Sequence, residues 1–212
     1  MITEKGQSIE DKSMEIIENE IGSHSYSSDE WTIVKRVIHS TADFDFARDN
    51  KIVFHKDAIR NGIEALNNAC AIVVDVNGVI GGFNKDNLKK FGNKVICNIS
   101  EPNVISEAKN LNKTRAQISM RMASNDMNGG IIVVGNAPTA LLEVIQMIKD
   151  NVAVPSLVIG IPVGFVCASE SKEELRSFDI PYITNLGRKG GSPCASAIIN
   201  ALYILLKGRL SS

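Results

Sequence analysis

Ile131-Ile-Val-Val-Gly135 runs into Asn136-Ala-Pro138 and then into a helix expected over Thr139 to Lys149, with Leu141, Leu142, Ile145 and Ile148 along one side. Four β-branched residues in a row make a strand apolar on both faces, and Pro138 suits a first helical turn, where its missing N–H costs no hydrogen bond. The same grammar recurs in both directions. Upstream, Ala71 to Val76 ends at Asn77-Gly78 and Gly81-Gly82 before a short helix over Lys85 to Phe91. Lys94 to Asn98 then leads through Ile99 to Asn103 into helices near Val104 to Asn110 and Thr114 to Met127. Downstream, Leu157 to Ile161 runs into Pro162-Val-Gly164 and a charged helix beginning near Ser171, with Glu174 in capping position. Last, Tyr182 to Leu186 runs into Gly187 to Ser192, and Pro193 opens a final helix ending at Gly208. Unbroken apolar strands alternating with helices demand right-handed crossovers and a parallel sheet covered on both faces. The expected architecture is a three-layer α/β/α doubly wound domain with a mainly parallel sheet of about five strands. It is expected as one domain over 1–212, with N-terminal helices over 8–48 and an α/β core over 51–208.

In such sheets ligands bind outside the carboxyl ends of the strands. Those ends are here the loops Asn77 to Gly82, Asn98 to Pro102, Gly135 to Pro138, Ile161 to Gly164 and Gly187 to Ser192, four of them rich in glycine. Glycine lets backbone N–H groups approach a ligand closely, and helix N-termini favour anions, so an acidic ligand is expected. The nucleotide signatures are missing: no G-x-G-x-x-G follows a strand, and Gly187 to Ser192 lacks the spacing of a Walker loop.

The 212 residues, 44% of them hydrophobic, suffice for a core without metals or disulfides. With 23 basic and 24 acidic residues the chain has no excess of cations for a nucleic-acid partner. Cys70, Cys97, Cys167 and Cys194 are dispersed and form no C-x-x-C pair, so they read as thiols in a reducing compartment, and no metal-ligand spacing is present. Met1 to Gln7 lacks the apolar core of a signal peptide, and the apolar runs Leu157 to Ala168 and Ala195 to Leu206 fall short of the roughly 20 residues that span a bilayer. A cytoplasmic protein with no membrane partner is expected.

Ahead of the sheet, Ser8 to Ile21 suits a first helix, with Ser8 and Asp11 as a capping pair and Ser13 off its apolar stripe. Ser27 and Glu30 have the spacing of a capping box, and Trp31, Val34 and Ile38 then share a helical face. His39 follows Trp31 by eight residues and is expected close to that inward stripe, with Arg36 and Asp43 supplying opposite charges within about a turn. The residues alone leave His39 as either a core histidine bonded to a carbonyl or a working acid. Lys51 to His55 suits a short edge strand and Asp57 to Ala69 a helix. Arg115 stands at an expected helix start, where a cation opposes the helix dipole.

Taken together, Arg36 to Phe44, Gly135-Asn-Ala-Pro-Thr-Ala-Leu141, Gly160-Ile-Pro-Val-Gly-Phe-Val-Cys-Ala-Ser-Glu-Ser-Lys172 and Gly187-Arg-Lys-Gly-Gly-Ser-Pro193 resemble the precorrin-8X methylmutases of cobalamin biosynthesis, over nearly the whole chain. The resemblance implies an α/β/α fold and an isomerase that moves a methyl group from C11 to C12 of a corrin precursor. The product would be hydrogenobyrinic acid or its cobalt-containing counterpart, cobyrinic acid, formed by a sigmatropic shift that consumes no external cofactor. It further implies His39 as the proton-donating catalytic residue, Arg115 in contact with the substrate, and Ser13 reaching the substrate from the neighbouring subunit of a homodimer with sites near the interface. Asn84, Gly135, Asn136, Ala137, Gly164, Gly190, Gly191 and Ser192 would complete the cradle of this polycarboxylate tetrapyrrole. Two other classes remain open: a tetrapyrrole carrier without catalysis, and a nucleotide-using transferase or reductase, against which the missing phosphate motifs count.

Overall fold

The computed structural model describes residues 3–211. Its six-stranded sheet runs, across its width, β1 (Ile52–Phe54), β6 (Tyr182–Asn185), β5 (Leu157–Gly160), β4 (Ile131–Val134), β2 (Ala71–Val74) and β3 (Lys94–Ile96). Strands β2 to β6 are parallel, as anticipated. The segment from Lys51 adds a sixth strand at the edge, antiparallel to β6 with Val53 opposite Thr184.

Alternation within each strand divides the core. Ile72, Val74, Ile131, Val133, Leu157 and Ile159 face the layer of α1 (Glu4–Ile21), α2 (Ser28–Thr41), α3 (Ala58–Asn67) and α11 (Ser192–Leu210). Val73, Ile132, Val134 and Val158 face α7 (Arg115–Met122), α9 (Pro138–Lys149) and α10 (Ala168–Arg176). All four residues of β4 are fully buried, as a strand covered on both sides requires.

Several element bounds differ from the sequence expectation. Helix α1 starts at Glu4 because Thr3 caps it, its hydroxyl accepting from Gly6 N–H at 3.2 Å, so Ser8 lies inside the helix. The Asn77–Gly81 stretch is a short helix, α4, that buries Val79, and it leads into α5 (Lys85–Phe91). A Cβ at Gly82 would collide with the Ser196 hydroxyl, so glycine lets this turn lie directly on α11. Helix α6 (Pro102–Asn110) opens at Pro102, which needs no N–H there. The expected helix to Met127 breaks at Ala123 into α7 and α8 (Ser124–Met127), which lets Met127 turn into the core. Helix α10 begins at Ala168, three residues early, because Cys167 adopts a left-handed conformation (φ 59°). Glu174 is then inside the helix, paired with Lys149 at 2.7 Å. Helix α11 passes Gly208 to Leu210, its last turn held by Arg209 on Asp29 of α2 at 2.8 Å.

Counting only the parallel strands, the order is the flavodoxin-like one, and its topological switch point lies between β2 and β4. Asp75, fully buried just past β2, fills that point. Its carboxylate accepts the N–H groups of Gly135 at 2.9 Å, Asn136 at 2.8 Å and Ala137 at 2.8 Å, just past β4. Burial raises its pKa and the three donors work against that rise. Asp75→Asn offers one oxygen and sets an NH2 group against N–H donors. We expect it to lower the unfolding free energy by about 2–3 kcal/mol, measured in urea, while an unchanged midpoint would show that the turn finds other acceptors.

Candidate functional site

Helix α2 carries His39 in its last turn. The helix starts at the anticipated capping box, where Ser27 receives Glu30 N–H and Glu30 Oε2 receives Ser27 N–H at 2.8 Å. Ile33, Val34, Val37 and Ile38 carry its buried face. His39 does not join them. Eight residues from Trp31 amount to two turns plus about 80°, enough to carry the ring from the stripe to its border. His39 is exposed and makes no hydrogen bond or ion pair among the described residues, which excludes the core-histidine alternative.

The ring looks into a cleft of about 460 Å³ between α2, α4 and α11, lined also by Arg36, Ser40, Gly78, Gly82, Ser192, Ser196 and Asn200. Arg36 is tied to Glu10 of α1 at 2.6 Å, so a cation stands in the wall on a fixed stem. Asp43 faces away to Lys189, whose Nζ lies 2.7 Å from Asp43 and 2.6 Å from Asp45. Burial pushes the Asp43 carboxyl up, but Lys189 and the Asp45 N–H outweigh it and hold the group below the usual range. On its other side His39 borders a groove of about 370 Å³ shared with Ser13, Ile17, Ala42 and Phe44 of the same chain. The Ser13 hydroxyl donates to Ile9 O at 2.8 Å, leaving its lone pairs open.

The other residues singled out in the sequence gather at the carboxyl end of the sheet but do not share one cavity. Ser192 lines the His39 cleft. Gly135 abuts it, since a Cβ there would lie 3.2 Å from Ser192 Cα. The N–H groups of Gly135, Asn136 and Ala137 are taken by Asp75, so this turn offers a ligand the exposed Asn136 side chain and not its amides. Gly190 is required by close approach, because a Cβ would strike the Ile161 and Pro162 carbonyl oxygens, and Gly191 N–H donates to Ile161 O at 3.0 Å. Gly164 N–H donates to Arg188 O at 3.2 Å. Asn84 caps α5, accepting from Asn87 N–H at 3.0 Å, and its own N–H reaches Asn200 Oδ1 at 3.0 Å. It therefore acts on the cleft through Asn200.

Arg115 opens α7 on the opposite face of the sheet from His39, at the same end. Thr114 caps that helix, and its hydroxyl meets Thr139 of α9 at 3.1 Å. Arg115 is exposed and has no carboxylate partner among the described residues. Glu143, buried on α9, fixes the helix that presents it. It takes Gln117 Nε2 at 3.0 Å, Lys113 Nζ at 3.5 Å and Arg121 Nε.

Sequence reasoning passed over Asp75, Glu143 and Lys172 as supports, and Ser196 and Asn200 as wall residues. The wall had a signal: Ser192, Ser196 and Asn200 recur at i, i+4 and i+8 on a helix that is otherwise apolar up to Leu206. The four cysteines are free; burial pushes Cys194 up to about 12 and Cys70 to about 11, so neither is a poised nucleophile. No group of three or more His, Cys, Asp or Glu among the described residues is placed to hold a metal, and none of their helices is long and apolar enough to cross a membrane.

Residues 8–205 match the family model of precorrin-8X methylmutase. The chain is 50% identical to the cobalt-precorrin-8 methylmutase of Priestia megaterium, over 96% of this chain and 90% of that protein. It is 47% identical to the cobalt-precorrin-8 methylmutase of Leptospira interrogans, over 98% and 97%. The solved precorrin-8X methylmutase of Thermus thermophilus superposes with a TM-score of 0.89 at 37% identity, covering 96% of this chain and 98% of that one.

Beneath the Gly187 to Gly191 loop lies Lys172, only 1% exposed, with Nζ donating to Gly187 O at 3.0 Å and Lys189 O at 2.5 Å. Burial lowers its pKa from 10.5 to about 8. The unfolded chain therefore holds more protons than the folded one between these values. Its contribution to stability is full above 10.5 and is lost as pH falls through about 8. Compared with Lys172→Met in urea, the wild-type protein should gain up to about 3 kcal/mol in relative stability between neutral pH and about pH 10. A pH-independent difference would mean that the amine titrates alike in both states.

Proposed function

The chain belongs to the precorrin-8X methylmutase family, and on that footing we propose that His39 donates the proton in its methyl shift and that its substrate is cobalt-precorrin-8. The protein is an isomerase of cobalamin biosynthesis, moving a methyl group from C11 to C12 of the precorrin ring. The observation that carries the assignment of His39 is its setting: a titratable ring without internal partners, exposed at the mouth of a cleft with an immobilised cation in its wall. When the methyl group migrates, the double bonds of the macrocycle rearrange, and a ring nitrogen or carbon that gains electron density needs a proton or a hydrogen bond. An imidazole whose nitrogens are not already engaged can supply it. No group of the protein leaves or is oxidised; because substrate and product are isomers, the ring releases one proton for the one it takes, and that proton restores the imidazole directly or through solvent at the open site.

Arg36 and Arg115 stand at the two faces of the sheet's ligand end, where they suit carboxylates on opposite rims of a wide substrate. Ser192 and the Asn136 side chain lie between as neutral hydrogen-bonding groups. The names of the Priestia and Leptospira relatives favour the cobalt-containing substrate. A homodimer is supported by the outer face of α1, where Ile9 and Ile16 are 60% and 45% exposed on either side of Ser13, beside the His39 groove. This brings Ser13 to a subunit boundary from which it can reach substrate. The setting also suits a cytoplasmic enzyme handling a polar, soluble intermediate.

His39→Ala removes an exposed side chain and so should leave folding intact, hold substrate within a few-fold of wild type and lower kcat by a hundredfold or more, about what general acid catalysis contributes. Visible absorbance with cobalt-precorrin-8 and with precorrin-8X reads both the turnover and the substrate preference. Wild-type turnover by the variant would remove His39 from the mechanism, and tight binding without conversion by the intact protein would make it a carrier.

A further inference from the structure

Among the described residues Phe165 and Val166 are the most exposed large apolar side chains, at 87% and 78%. Their loop follows β5 at the ligand end of the sheet. Val163 lies against the last loop, since a Cβ on Gly191 would sit 3.8 Å from Val163 Cγ1, and the next residue, Ser192, lines the His39 cleft. On the other side a Cβ on Gly164 would sit 3.9 Å from Pro138 Cγ, and Pro138 precedes Thr139, which bonds the cap beside Arg115. The loop that carries the two apolar side chains thus lies between the loop leading into the His39 cleft and the turn leading to the cap beside Arg115.

The chain spends free energy to present them. Cys167 holds a left-handed φ of 59° without being glycine, a conformation that costs about 1 kcal/mol or more. Behind it Ala168, Ser171 and Lys172 are buried, with Ser171 N–H on Cys167 O at 3.0 Å. The tip is therefore fixed outward on a buried base.

We propose that Phe165 and Val166 are a substrate platform: they lie against the apolar face of the macrocycle while its rim carboxylates are held on either side. This rests on the mutase reading above. A conjugated ring has flat apolar faces as well as an acidic rim; the His39 cleft mixes Pro193 and Ala197 with polar groups, and Phe165 and Val166 add a larger exposed apolar surface beyond it. Burying an aromatic and a β-branched side chain against it supplies affinity without touching the migrating methyl group.

The test is titration of the wild-type protein and the Phe165→Ser/Val166→Ser double variant with cobyrinic acid, followed by visible absorbance, with steady-state turnover of cobalt-precorrin-8 and sedimentation at the assay concentration. The platform predicts product binding and KM weakened together by about tenfold or more, kcat within about twofold and an unchanged oligomeric state. Phe165→Leu, which keeps an apolar side chain, should recover most of the affinity. Wild-type affinity in the double variant would overturn the platform. So would loss of affinity together with dissociation of an oligomer, which would make the patch a subunit contact. A wild-type protein that neither binds nor converts either compound would instead overturn the mutase reading.

Discussion

The ligand end of this sheet is organised by one buried carboxylate. In a parallel sheet of this order the strands on either side of the switch point send their loops to opposite layers, leaving a crevice lined by free amides that commonly takes a phosphate. Asp75 occupies it with a covalently attached anion, joining the end of β2 to three consecutive amides after β4. The crevice is thereby closed, and a second anion placed beside it would meet like charge. Arg36 stands to one side of it in one layer, paired with Glu10, and Arg115 to the other side in the opposite layer.

Two further buried ions extend this logic. Glu143 gathers Lys113, Gln117 and Arg121 and so sets the angle of the helix that begins at Arg115. Lys172 pins the carbonyls of the Gly187 to Gly191 loop from below, while Lys189 ties the same loop to Asp43 and Asp45 beyond the His39 helix. A buried ion with its partners in place adds little net stability, yet removing one partner is costly, so such groups fix geometry more than they strengthen the fold. None of the three belongs to the cleft itself; each fixes a segment that borders the ligand end.

The fold was legible because its strands are covered on both faces, which writes them as unbroken β-branched runs that no amphipathic helix imitates. What escaped lay where one residue overrides a local pattern: Thr3 capping ahead of Ser8, Cys167 turned left-handed so that α10 starts early, Gly82 lying flat on α11 so that an expected loop coils into a helix. His39 falls in the last turn of α2, as its spacing implies, yet exposed, because eight residues carry it about 80° round from Trp31. Asp75, Glu143 and Lys172 were invisible for a different reason. Asp75 meets its partners some 60 residues away, and nothing in the neighbourhood of a charged residue announces that it will be buried.

Helix α2 rests chiefly on α11, and β1 pairs with β6, so the first quarter of the chain finds its place only against the last. The segment bearing His39 is thus made well ahead of the helix it docks on, a long-range contact of the kind that forms slowly. Helix α11 supplies both the seat for α2 and the opposite wall of the cleft. Without α11 there is neither a seat for α2 nor a second wall, so the cleft exists only where two segments far apart in the chain have met.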